Sequence, residues 1–199
     1  MSQPQEGPRL GPRFRDALQY AAALHSSQTR KGTRIPYVAH LLSVSAIVLE
    51  DGGDEDEAVA ALLHDAVEDQ GGRPVLDEIR RRFGERVALI VEGCTDAEVV
   101  PKPPWRERKE HYIAHLRFAS PDVLRVSSAD KLHNARAILA DFRRHGDALW
   151  DRFTADREGV LWYYRALVTA YREKGGGSVT EELDRVVSEI ERLAAGDRR

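Results

Sequence analysis

Residues 52–72, GGDEDEAVAALLHDAVEDQGG, decide how the rest of the chain is read. Asp54 with Glu57 three positions later is a capping-box start, and the run that follows is Ala, Val and Leu through Leu63. A helix apolar on nearly every side belongs inside a protein, so AVAALLHDAVED (58–69) is expected to be one central helix, ended by Gly71–Gly72. That helix carries His64, Asp65, Glu68 and Asp69. His64 and Glu68 are i,i+4 neighbours, as are Asp65 and Asp69, which gathers four polar groups at one helix end. Two readings stand side by side. The end is a solvated exit into the glycines, or the carboxylates converge on a divalent cation that offsets their repulsion and desolvation.

Outward from this segment the pattern stays helical. Phe14, Ala17, Leu18, Ala21 and Ala22 mark a first helix, broken by RKGTRIP, and a second is expected from about Val38 to Leu49. Leu76, Ile79 and Phe83 mark a helix ended by Gly84, and Val87, Ile90 and Val91 one ended by Gly93. VVPKPP (99–104) reads as extended before a helix from Trp105 to Phe118. Pro121 opens the segment VLRVSSADKLHNARAILADF, and one long aromatic helix is expected from about Asp147 to Tyr171. Gly175–Gly177 reads as a linker before a final amphipathic helix, expected to pack loosely. No strand alternation and no repeat is visible. The fold class is all-α: a flexible N-terminus over 1–12, a compact domain over 13–173, and a linker with a C-terminal helix over 174–199.

Composition excludes several function classes. Thirty Lys and Arg against 33 Asp and Glu leave a charge of −3, which argues against a nucleic-acid binder. A single cysteine, Cys94, excludes an internal disulfide framework and a thiolate zinc site; it reads as a small buried residue. No apolar run approaches the ~20 residues that cross a bilayer, and residues 1–12 lack a signal-peptide core, so a cytoplasmic protein without a membrane partner is expected. The oligomeric state is left open.

Two further residues bear on the metal reading. His40 opens a helix directly after Pro36–Tyr37, and Asp130 interrupts an apolar helix with Asn134 one turn on. A histidine, a His–Asp pair and a distant aspartate make a four-ligand set with room for water, the arrangement a hydrolytic metal site uses.

In the order and context of these residues the chain resembles the HD-domain metal phosphohydrolases. It resembles most closely the hydrolase domains of RelA/SpoT proteins and stand-alone small alarmone hydrolases of the metazoan SpoT-homologue type. The matching blocks are RKGTRIPYVAH (30–40), AALLHDAVEDQ (60–70), RERK (106–109) and ADKLHNAR (129–136). The resemblance implies a compact multi-helix HD-domain fold with His40, His64, Asp65 and Asp130 as metal ligands, manganese being the expected ion. It implies that Glu68 and Asp69 orient and deprotonate the attacking water. Arg30 and Lys31 would face the base and ribose, Asn134 and Arg136 the nucleoside, and Arg108 and Lys109 the polyphosphate. The implied activity removes the 3′-pyrophosphate of guanosine penta- or tetraphosphate, giving GTP or GDP, and no synthetase domain is expected. Three departures stand out: Ser127–Ser128–Ala129 where relatives carry a lysine, Ala137 where they often carry threonine, and PKPPWRERK (101–109). They leave open a phosphatase of NADPH or another nucleotide, and a non-catalytic nucleotide sensor.

Other residues read more plainly. His133 is expected to orient a ligand, while His111 and His115, His25 and His145 read as structural or surface histidines. Among the aromatics from Trp150 to Tyr171, packing accounts for most, with Tyr163 a candidate for the nucleotide pocket. Arg80–Arg81–Arg82 reads as a solvated face.

Overall fold

The apolar run after Asp54 forms α3, Glu55–Leu63, with every residue from Glu57 to Leu63 buried. Its start is the expected capping box: the Glu57 N–H donates to Asp54 and the Asp54 N–H to the Glu57 side chain. The computed structural model describes residues 10–96 and 103–196, so most of VVPKPP lies outside the described residues. Within them the chain is all helical, with one isolated bridge between Thr29 and Pro36.

Around α3 pack α1 (Pro12–Leu24), α2 (Val38–Glu50), α6 (Glu85–Cys94) and the 25-residue α8 (Pro121–His145). Between α3 and α6 lie α4 (Ala66–Gln70) and α5 (Arg73–Phe83). The helix α7 (Trp105–Leu116) packs on α9 (Arg157–Glu173), and α10 (Ser178–Ala194) on both α8 and α9. No described helix is long and apolar enough to cross a membrane.

Four expectations need correction. The helix read through 58–69 is interrupted at His64–Asp65, and a five-residue helix resumes at Ala66. The aromatic stretch is not one helix: Gly146–Arg152 is a 3-10 segment, and α9 begins at Arg157, capped by the Asp156 side chain on the Gly159 N–H. A single apolar period spans both pieces, because Trp150 packs on Phe142 and Phe153 while Tyr163 and Tyr164 face the core. Gly93 does not end α6 but lies within it. A Cβ there would meet Val123 of α8 at 2.7 Å, so this glycine lets the two helices approach. Finally, α10 is firmly packed: Leu183 and Val187 are fully buried, and Arg165 of α9 bonds Asp184, Ser188 and Glu191.

The remaining readings follow the geometry. Arg80 and Arg81 pair with Asp77, Glu85 and Glu78, and Arg82 lies over the Tyr20 ring. His111, His115 and His145 are exposed, His25 is buried against Tyr37, and Cys94 is buried.

Candidate metal centre and nucleotide groove

The break in the central helix is where the chemistry sits. His64 ends α3 and Asp65 precedes α4, so the pair leaves the helical ladder while the flanking apolar turns anchor it. His40 lies in the first turn of α2, just after a loop pinned by Arg30 N–H to Ile35 carbonyl and Tyr37 N–H to Gln28 carbonyl bonds. Gly32 turns that loop with φ +72°, a conformation side chains rarely adopt. Asp130 comes from the middle of α8 and is buried.

These four side chains converge. His64 Nε2 lies 3.0 Å from Asp65 Oδ2 and 3.6 Å from Asp130 Oδ1. His40 Nε2 lies 3.2 Å from Asp130 Oδ1 and 3.5 Å from Asp65 Oδ2. Both Nε2 atoms are buried without a hydrogen-bond partner. The opposite ring nitrogens are engaged: His64 Nδ1–H donates to the Ala61 carbonyl (2.8 Å), and His40 Nδ1 pairs with His133 Nδ1 at 2.8 Å. A histidine that donates through Nδ1 presents a lone pair at Nε2, the form that ligates a metal. Buried orphan nitrogens are costly, so two aimed at the same pair of carboxylates fit a divalent cation.

The carboxylates are held from behind. Tyr37 donates to Asp65 Oδ2 at 2.6 Å, Lys131 to Asp130 Oδ2 at 2.6 Å, and Asn134 to Asp130 Oδ1 at 2.5 Å. Burial alone pushes the two aspartates up, but His64 and His40 hold Asp65, and Lys131 with both histidines holds Asp130, well below the usual carboxylate range. For His64, burial pulls downward and the Asp65 and Asp130 charges outweigh it, leaving the imidazole well above its usual value. His133 is pushed down to about 4 by burial, then by His40 and Arg30.

Glu68, half-buried, and Asp69, exposed, follow on α4. Asp69 accepts from Gln28 at 2.8 Å, and its pKa is raised by desolvation and by the Asp65 and Glu68 charges. On the other side of Asn134 a groove of about 390 Å³ opens, lined among others by Arg30, Lys31, Tyr37, Ala137, Arg152 and Tyr164. Arg30 donates to Asn134 at 2.7 Å, so one chain of bonds runs from the groove through Asn134 to Asp130.

The remaining sequence-predicted residues lie elsewhere. Arg136 is two positions from Asn134, hence on another face of α8; it approaches Glu182 of α10 at 3.6 Å and faces away from the groove. Tyr163 is buried against Trp105 and beneath Lys109, and Tyr164 lines the groove in its place. Arg108 and Lys109 meet on Asp96: Arg108 donates to its Oδ2, and so does Lys109 at 2.8 Å. Tyr37, Lys131, Tyr164 and Asp96 were missed by sequence reasoning. Lys131 adjoins Asp130 and Tyr37 stands three residues before His40, and a lysine inside an apolar helix was a usable signal; nothing local marked Tyr164 or Asp96.

Comparison with known proteins gives the chain its relatives. A family model described as HD domain matches residues 17–161. The guanosine-3′,5′-bis(diphosphate) 3′-pyrophosphohydrolase MESH1 of Xenopus tropicalis is 41% identical over 126 residues, covering 62% of this chain and 68% of that one. A guanosine-3′,5′-bis(diphosphate) 3′-pyrophosphohydrolase of Aquifex aeolicus is 34% identical over 134 residues, 66% of this chain but 18% of that longer protein. Among solved structures, one described as a metazoan orthologue of SpoT that hydrolyses ppGpp superposes with a TM-score of 0.76. It is 27% identical, and the match covers 92% of this chain and 98% of that one.

Proposed function

The chain belongs to the HD-domain family, and on that premise we propose that it is a guanosine-3′,5′-bis(diphosphate) 3′-pyrophosphohydrolase dependent on a divalent metal, releasing pyrophosphate and leaving GDP or GTP. The observation that carries this reading is the pair of buried, unpartnered Nε2 atoms of His40 and His64 facing Asp65 and Asp130. These four residues would hold the metal. Their imidazole and carboxylate donors, with no thiolate, suit manganese, the ion we propose, as they also suit zinc or iron. When bound, such a cation lowers the pKa of a coordinated water and offsets charge at the phosphoryl oxygens.

The chain's own groups supply the rest. Glu68 and Asp69 take the proton of the attacking water, and Asp69, with its raised pKa, is suited to hold it. The water's hydroxyl goes to phosphorus and the proton passes to the departing ribose 3′-oxygen. Arg30 and Lys31 hold the nucleoside end in the groove, with Asn134 fixing the distance from base to Asp130. Arg108 and Lys109 face the terminal phosphoryl of the 3′-diphosphate as charge-assisted donors. With a nucleotide as its substrate, a cytoplasmic location is part of the same proposal.

Phosphorus NMR of the manganese-loaded chain tests the reading. Guanosine tetraphosphate is expected to give pyrophosphate and GDP, and the double variant Glu68→Gln/Asp69→Asn to lose turnover by about 10²–10⁴-fold while keeping its metal. Orthophosphate from NADPH with the alarmone untouched would reassign the substrate; a double variant with wild-type turnover would remove the pair as the base.

A further inference from the structure

Apart from the groove residues, three half-buried cations lie near one another: Arg108, Lys109 and Lys131. Lys131 reaches Asp130, and Lys109 lies near enough to Lys131 and Glu68 to feel both charges, which sets the Arg108–Lys109 pair beside the candidate metal centre. Its counter-anion is Asp96, at the end of α6. Both cations share one oxygen of this carboxylate, Oδ2, while Oδ1 is buried without a partner and the side chain is 8% exposed. The Tyr163 hydroxyl in the same cluster is also buried and unpartnered, with the Lys109 ammonium 5.0 Å from its ring centroid. A carboxylate with one orphan oxygen satisfies two cations poorly. A phosphoryl group has three oxygens, carries more charge, and offers the second acceptor that Arg108 and Lys109 lack here.

We propose that Asp96 is a competing internal anion that occupies the Arg108–Lys109 pair until the distal phosphoryl of a 3′-diphosphate replaces it, and so sets the affinity for that phosphoryl. This rests on the pyrophosphohydrolase reading above, and it makes those two cations respond to the second phosphoryl rather than to the one at the scissile bond. Substrates with a single phosphate at that position do not reach the pair, so they gain nothing from displacing Asp96.

The test compares the wild-type full chain, metal-loaded, with Asp96→Asn. Calorimetry with inorganic pyrophosphate, metal matched in both solutions, is expected to show about tenfold tighter binding by the variant, with orthophosphate within about twofold. The KM for guanosine tetraphosphate should fall by a similar factor at little-changed kcat. For guanosine 5′-diphosphate 3′-monophosphate, KM should stay at the wild-type value. Asp96→Glu, which keeps the charge, should restore wild-type pyrophosphate affinity. A folded Asp96→Asn that binds pyrophosphate no more tightly, or tightens equally on the monophosphate substrate, overturns the proposal. If Asp96→Asn does not fold, Asp96→Ser is put to the same measurements. Failure of the wild type to hydrolyse the tetraphosphate would sink the functional reading alone, since the pyrophosphate calorimetry still decides whether Asp96 competes.

Discussion

The metal centre and the nucleotide groove meet at Asn134, yet they are built on opposite principles. In the centre every proposed ligand is buried or half-buried and fixed by a second protein atom: Ala61 behind His64, His133 behind His40, Tyr37 behind Asp65, Lys131 behind Asp130. In the groove Arg30 is steadied by Asn134 and Arg152 by Asp141, while Lys31 and Arg144 line an open wall. A rigid set suits a cation whose geometry does not vary. A looser, cationic wall would accept a large anion whose nucleoside can differ. The consequence is that damage to the centre should be close to all-or-none and damage to the groove graded.

The largest effect is expected from Asp130→Ala. It removes one proposed ligand and strands the largely buried Lys131 ammonium without its partner at 2.6 Å. Metal content should fall to background and turnover by at least about 10³-fold, with a lowered Tm because a buried charge has lost its counter-charge. Metal analysis beside a melting curve checks both. A fully metallated, active variant would take Asp130 out of the ligand set and erase the contrast.

Arg30→Ala sharpens the comparison from the other side. It deletes a groove cation that touches Asn134 but none of the four converging residues. KM for the nucleotide should rise about tenfold while metal content stays at the wild-type level. Steady-state kinetics with parallel metal analysis makes the check. If metal is lost as well, the bond chain from Arg30 through Asn134 to Asp130 is part of the centre, and the two regions are one.

The same contrast governs what could be read from the sequence. The all-α class, the capping box at Asp54 and the convergence of His40, His64, Asp65 and Asp130 were legible, because helix periodicity and ligand chemistry are written in local residue types. The break at His64–Asp65 was not. Leu62 and Leu63 before it and Ala66 and Val67 after it keep an apolar run through it, and the pull of His40 and Asp130 is a tertiary effect. Arg136 misled for a related reason. A motif lists neighbours in sequence, but two residues apart on a helix means different faces, and α10 takes that face. Asp96 could not be found locally, since its significance comes from Arg108 and Lys109 twelve and thirteen residues further on.

The smallest predicted effect is a pH signature confined to the centre. Stripped of metal by a chelator, the protein should be most stable near pH 6.5. His64 is raised in the folded state, so its contribution is complete below the unfolded value of about 6.5 and is lost as pH rises toward the folded one. His133 is depressed to about 4, so it works in the other direction: the unfolded chain takes up its proton first, and stability falls as pH drops from about 6.5 toward 4. Asp65 and Asp130, held low, add a further loss only below about pH 4. Melting curves of chelated protein across pH 5 to 9 should therefore peak and decline by a few degrees on either side, at about 2–4 °C per kcal/mol for a chain of this size. Added manganese should raise Tm more at high pH than at low, because a ligating imidazole must be neutral. A metal-induced shift that shrinks as pH rises would mean that His40 and His64 do not take the ion.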